Sequence, residues 1–205
     1  LHVPPREDDA SELPLLVVLH GGGDSGACAR EVTRLDRIGV DMGFVVVFPD
    51  GTGNSTKQGL SWNSGSADVY AARKQVDDVS FCKAIVADVQ RRVAIDGDRV
   101  FVTGHGNGGM MCHRLAREAA DVFKGIAPVA GAMNFTDEQS NVPMAVLMVH
   151  GTEDAHVRIG GGAPEVTRGG GERVDASLEA ATEYYVGRNE LVSHPDEAVR
   201  DGVHV

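Results

Sequence analysis

The sequence predicts an α/β fold, a mostly parallel sheet with helices on both faces. Three observations carry this. Short apolar runs rich in β-branched residues recur along the chain, the signature of strands buried on both sides. Segments with apolar residues at helical spacing alternate with them. Glycine-rich turns follow directly on several of the runs, at the strand ends where such sheets hold their ligands. With 205 residues, 42% of them hydrophobic, residues 1–205 fit a single domain with a sizeable core.

The elements follow in order. LPLLVVLH, residues 13–20, is a continuous apolar strand ended by glycines. From Ala27 to Met42 the apolar positions Val32, Leu35, Ile38 and Met42 keep helical spacing, which predicts one amphipathic helix. GFVVVFP, residues 43–49, is a second strand stopped by Pro49, and the stretch from Asp50 to Ala72 is polar and glycine-rich. Between Gln75 and Val93 a second helix is marked by Val76, Val79, Phe81, Ile85, Val86 and Val89, with Asp77 and Asp78 placed to favour its positive end. RVFVTG is a third strand, and Met110 to Ala120 the helix after its turn. GIAPVAG (125–131) and MAVLMVHG (144–151) are two further strands, and Ala176 to Arg188 a last helix. IGGGAPEVTRGGGE, residues 159–172, has no Lys after its glycines and reads as a surface loop, not a phosphate loop.

Composition excludes some functions. The formal charge of -11 is a poor surface for a phosphate backbone, so nucleic acid is not an expected partner. No apolar run approaches the roughly 20 residues that span a bilayer, and no membrane partner is expected. Cys28, Cys82 and Cys112 lack CxxC spacing and read as core residues, with one bridge left open.

VFVTGHGNGGM, residues 101–111, carries the chemistry. Gly104, Gly106 and Gly109 satisfy G-x-G-x-x-G between a strand and a helix, as a dinucleotide-binding turn requires. That reading needs an acidic residue at the end of the next strand to hold the ribose, and PVAG has none. The other reading is G-x-S-x-G, a sharp turn that lifts a nucleophile to the rim of the sheet. Gly104 and Gly108 keep its frame, and the nucleophile's place is taken by Gly106.

Two other rim loops fit this second reading. HGGG, residues 20–23, reads either as a plain glycine turn between strand and helix or as the loop that supplies one backbone N–H of an oxyanion hole in esterases and lipases; the other N–H would come from Asn107. Asp154 in HGTED, which taken alone reads as a helix cap or turn residue, follows the fifth strand, on the same rim and in the chain order that a serine, acid and histidine require.

PLLVVLHGGGDSG, GFVVVFPDG, SWNSG, VDDVSF, DRVFVTGHGNGGMM, IAPVAGAM and HGTEDAHV, in this order, resemble the polyhydroxybutyrate depolymerase and feruloyl esterase family of α/β-hydrolases. The likeness runs to about Gly162. It implies an α/β-hydrolase fold and a serine esterase that cleaves small or polymeric carboxylic esters through an acyl-enzyme, with no metal or organic cofactor. It also suggests a secreted or periplasmic setting. The family's serine falls on Gly106, its acid on Asp154 and its oxyanion donors near Gly22 and on Asn107. Trp62 in SWN is expected either to line the substrate cleft or to fill a core gap.

The chain departs from the family pattern in two further places. The loop holding the family's histidine has no counterpart in NELVSHPDEAVRDGVHV, where His194 and His204 are poor candidates, and LHVPP resembles the end of a family strand. Strands are therefore expected to be missing at both ends. His20, His105 and His150 sit at strand ends, where three imidazoles could hold zinc; loop bracing is the expected role, and no metal is. His156 is expected in an exposed loop. Without a serine the chain is expected to be inactive or nearly so, a hydrolase scaffold or a non-catalytic ligand-binding protein on the same fold.

Overall fold

The apolar runs assemble into a five-stranded sheet in the computed structural model, which describes residues 1–5, 11–55, 59–65, 69–135, 141–166 and 173–191 and the backbone of 199–200 and 203–204. Its order is β2-β1-β3-β4-β5, with β1 at Leu13–Leu19, β2 at Val45–Val47, β3 at Ile95–His105, β4 at Gly125–Val129 and β5 at Ala145–Val146. All neighbouring strands run parallel. Leu19 pairs with Gly104, and Gly104 with Pro128, so β1, β3 and β4 end level. The loops after them therefore share one rim.

The helices are α1 (Gly26–Thr33), α2 (Leu35–Asp41), α3 (Tyr70–Arg73), α4 (Asp78–Gln90), α5 (Asn107–Glu118) and α6 (Leu178–Arg188). The step from β1 to β2 and the step from β3 to β4 run in opposite directions across the sheet. Right-handed crossovers then put α1 and α2 on one face and α5 on the other. Leu15, Val17, Val102, Met111, Leu115 and Phe123 form the centre of the buried core. Of the acidic pair read at the start of α4, Asp77 caps the helix by accepting the Ser80 N–H at 3.0 Å, while Asp78 is buried and accepts the Asn63 N–H at 2.6 Å.

Three sequence expectations are corrected. The helix expected over 27–42 is two helices, broken at Arg34 with φ 55°. The Thr33 hydroxyl donates to Ala29 O at 2.7 Å and accepts from Leu35 N at 3.3 Å, local bonds that compete with a continuing helix. Its apolar stripe is also largely uncovered, with Val32 76% and Met42 71% exposed. Beyond α2 the sheet face over β3, β4 and β5 is an open apolar groove of about 450 Å³, lined by Ile38, Met42, Phe101, Ile126 and Leu147 among others. The strand expected over 144–151 is regular only at Ala145–Val146, although Leu147 N–H and Val149 N–H still bond β4 at 3.0 and 3.1 Å. The tail, expected to hold no strand, contains an antiparallel pair of two-residue strands, β6 (Val199–Arg200) and β7 (Val203–His204).

In LHVPP, His2 and Val46 form an isolated antiparallel bridge at 2.8 and 2.9 Å. Cys82 and Cys112 are buried and Cys28 is half-buried; all three are free thiols.

His113 of α5 ties α6 to the sheet. Its Nε2–H donates to Gly131 O at 3.3 Å and its Nδ1 accepts from the Tyr185 hydroxyl at 2.9 Å, a tautomer assigned from these partners. Burial pulls its pKa from 6.5 down to about 4, partly opposed by the Gly131 bond. Between those values the unfolded chain binds the extra proton, so stability present above pH 6.5 is lost as the pH falls toward 4. The gap corresponds to about 3 kcal/mol. His113→Phe should therefore show an acid loss between pH 7 and pH 4 smaller by about that amount in urea titrations; an equally steep loss in the variant would rule His113 out as the cause. Burial lowers the His20 pKa too, so part of the acid loss survives in the variant.

Candidate active site

The centre of the rim is the turn between β3 and α5, and a single residue makes it. Gly106 has φ 53° and ψ -114°, its N–H donates to Val129 O at 2.9 Å, and its carbonyl accepts from Met110 N at 2.8 Å. A Cβ on Gly106 would meet no atom within 4 Å. Its neighbours are the opposite case. A Cβ on Gly104 would lie 2.6 Å from the Gly108 carbonyl, and one on Gly108 would lie 2.6 Å from the carbonyl oxygens of Leu19 and His20. The flanking glycines exist for close packing of helix on strand, while the central position opens outward.

Asn107 is the first residue of α5, so its backbone N–H has no partner inside the helix. Gly22 of the HGGG loop is its neighbour, since a Cβ there would stand 3.5 Å from Asn107 Cβ. The Asn107 side chain latches the SWN loop. Its Oδ1 accepts from Trp62 N at 2.7 Å, and its Nδ2 donates to Trp62 O at 3.0 Å and to Ser64 Oγ at 3.1 Å.

Trp62 is core filler of the rim, with 0% exposure. Its Nε1–H donates to His20 O at 3.0 Å, and its ring meets those of His20 and Phe81 with centroids 5.0 and 6.5 Å away. His20 in turn donates from Nδ1 to Gly21 O at 2.7 Å and accepts the Gly51 N–H on Nε2 at 2.9 Å, so both nitrogens are committed. Asn107→Ala should strand the buried Trp62 N–H at a cost of about 1–3 kcal/mol. Trp62 is the only tryptophan in the sequence, so its emission reports the loop directly. A lower urea midpoint with red-shifted emission is expected; an unchanged spectrum and midpoint would show that Asn107 is no latch.

Asp154 stands after the last rim strand. Its Oδ1 accepts from His156 N at 2.8 Å and Val157 N at 3.0 Å. Burial works against its charge, but these two N–H groups, with the nearby His150 and His156, outweigh it and hold the carboxyl below its ordinary pKa. Among the described residues no imidazole nitrogen bonds Asp154: His150 Nε2 and His156 Nδ1 meet the carbonyls of Val157 and Val166 at 2.6 and 2.9 Å. His105 and His156 are exposed. His194 and the His204 side chain lie outside the described residues. Among the described residues no three His, Cys, Asp or Glu groups gather as metal ligands.

One part of the site has no counterpart in the sequence reading. Arg173 Nη2 donates to His156 O at 2.6 Å, while its Nε pairs with both carboxylate oxygens of Asp175 at 2.8 and 2.9 Å. Residues 159–166 of the glycine-rich segment belong to this packing, through a Gly162–Asp175 bridge; 167–172 lie outside the described residues.

With this geometry in place, three comparisons bear on ancestry. Residues 34–143 match the prolyl oligopeptidase family. The chain is 34% identical over 131 residues to poly(3-hydroxyalkanoate) depolymerase C of Paucimonas lemoignei, covering 63% of this chain and 30% of that one. It is 27% identical over 161 residues to feruloyl esterase B of Piromyces equi, covering 76% and 29%. Both kinds of enzyme are those the motifs resemble, and the chain spans less than half the length of the first curated relatives it matches. Among solved structures, Arabidopsis thaliana SOBER1 superposes with a TM-score of 0.57 at 18% identity over 86% of this chain and 84% of that one, a likeness of fold.

Proposed function

The chain belongs to the prolyl oligopeptidase family of α/β-hydrolases, and on that premise we propose that it is a carboxylic-ester hydrolase scaffold in which Gly106 occupies the nucleophile's place. The observation that carries this reading is the turn itself: a single outward-opening residue at φ 53° between strand and helix, framed by glycines that admit no side chain. The adjacent N–H groups near Gly22 and of Asn107 are suited to an ester carbonyl oxygen that becomes negative as a tetrahedral intermediate forms. Asp154, held ionised by two N–H groups, is suited to orient an imidazole and stabilise its cation. Trp62 acts behind the cleft, keeping the HGGG and SWN loops together.

In an acyl-enzyme route a serine oxygen attacks the ester carbon, the alcohol leaves, and water then releases the acid. With glycine at 106 the first bond cannot form. An ester can bind and have its carbonyl polarised, leaving only direct attack by water, which an oxyanion hole alone accelerates by roughly 10³ to 10⁴. The names of the relatives point to polymeric hydroxyalkanoate esters and feruloyl esters as substrates. The same Gly106 favours a second reading, a ligand-binding protein on this fold that performs no hydrolysis.

The test compares the chain with Gly106→Ser for fluorophosphonate labelling and for p-nitrophenyl butyrate hydrolysis. With free imidazole added to serve as the base, the hydrolase reading expects an unlabelled chain and a labelled variant. Strong labelling of the unmodified chain would place its nucleophile elsewhere. A folded Gly106→Ser without label or turnover, together with ligand binding by the unmodified chain, would favour the second reading.

A further inference from the structure

The Asp154 carboxylate is reached from a part of the chain 19 positions away. The His156 carbonyl that accepts from Arg173 and the Val157 N–H that donates to Asp154 belong to one and the same peptide group. A cation on the oxygen of a peptide polarises it, and the N–H at its other side becomes a stronger donor. We propose that Arg173, held by Asp175, is a positioning residue that acts through the His156–Val157 peptide to keep the Asp154 carboxylate ionised and in one orientation. This rests on the hydrolase reading in so far as Asp154 is its acid.

The anchoring of Arg173 supports the proposal. The Asp175 side chain is fully buried, gripped by Arg173 and by Asn134 Nδ2 at 2.9 Å, and Asn134 Oδ1 in turn accepts from Ala176 N at 3.2 Å. Gly162 and Asp175 exchange backbone bonds at 2.8 and 2.9 Å, closing the loop that carries Asp154 onto the segment that carries Arg173. A buried ion pair contributes little stability compared with apolar residues of the same size, so its use here is in fixing one geometry. The other ionisable groups acting on Asp154 are His150 and His156; Arg158 pairs with Glu165 at 3.5 Å.

The experiment follows the Asp154 carboxyl carbon by NMR through an acid titration, and the Val157 amide proton at neutral pH, in the chain, Arg173→Gln and Arg173→Lys. Arg173→Gln should raise the Asp154 midpoint and move the Val157 amide proton upfield. Arg173→Lys, which keeps the charge, should fall between the two. A folded Arg173→Gln with both signals unmoved overturns the proposal. Should that variant not fold, Arg173→Lys decides alone, and an unmoved Val157 amide overturns it. Neither signal depends on catalysis. A Gly106→Ser that stays unlabelled even with free imidazole added, with this relay intact, removes the hydrolase reading only, and an unmoved Asp154 in the Arg173 variants, beside a labelled Gly106→Ser, removes the relay only.

Discussion

With free imidazole present, Gly106→Ser is expected to take up a fluorophosphonate label that the unmodified chain refuses, and on its own to unfold at lower urea concentration. The two effects have different origins. The new Cβ enters space with no atom within 4 Å, so no packing is lost. The backbone at φ 53° and ψ -114°, however, is one that side-chain-bearing residues rarely adopt, and holding a serine there costs about 1–3 kcal/mol. Gly106→Ala separates the terms, since it carries the strain without the hydroxyl: it should match the serine variant in stability and stay unlabelled. The catalytic gain depends on partners. A serine acting together with its imidazole and acid accounts for about 10⁶ in rate, whereas a serine without them adds little. The extent of labelling therefore reads how well an imidazole reaches position 106. A Gly106→Ser chain as stable as the original would mean that the turn is not strained. If the strain is real, glycine at this position makes the fold safer, and on the proposed hydrolase reading that stability gain is of the kind usually opposed by function.

The fold and the rim were legible for one physical reason. A strand buried on both faces must be apolar throughout, and a turn that brings helix against strand must be glycine, so β1, β3, β4 and the Gly104–Gly109 turn stand out from sequence spacing alone. The same residues placed Gly22, Asn107 and Asp154 on one edge. The break at Arg34 was hidden because it has neither glycine nor proline, only a threonine hydroxyl competing for backbone partners. Periodicity likewise could not say that the stripe of α2 would stay open, since it records what a helix offers and not what covers it. Trp62 lies in a polar, glycine-rich stretch whose composition says loop; its full burial depends on Asn107, 45 positions later. Arg173 and Asp175 lie just beyond a segment that reads as a surface loop, and their partners Asn134 and His156 are far off in sequence. Pairings over such distances leave no local pattern.

The largest loss of stability is expected not at position 106 but two residues on, in Gly108→Ala. A methyl group there would stand 2.6 Å from both the Leu19 and His20 carbonyl oxygens, where no flexible side chain can yield. Relief requires moving the start of α5 away from the end of β1, and that movement pulls on everything anchored at this junction. Asn107 would shift relative to Trp62, whose indole N–H bonds the same His20 carbonyl that the methyl group strikes. Overpacking of this kind costs about 1–3 kcal/mol where neighbours can adjust, and more where the obstacle is backbone. Gly108→Ala should accordingly lose at least about 3 kcal/mol in urea titrations, more than Gly106→Ala, although both substitutions add one methyl group. Its Trp62 emission should shift as well, which strain confined to the Gly106 turn would not produce. If the two alanine variants were equally stable, close packing would not be the reason for the glycine frame. The open central position would then lose its contrast with the crowded flanks, and with it the main geometric argument that this turn was built to present a side chain.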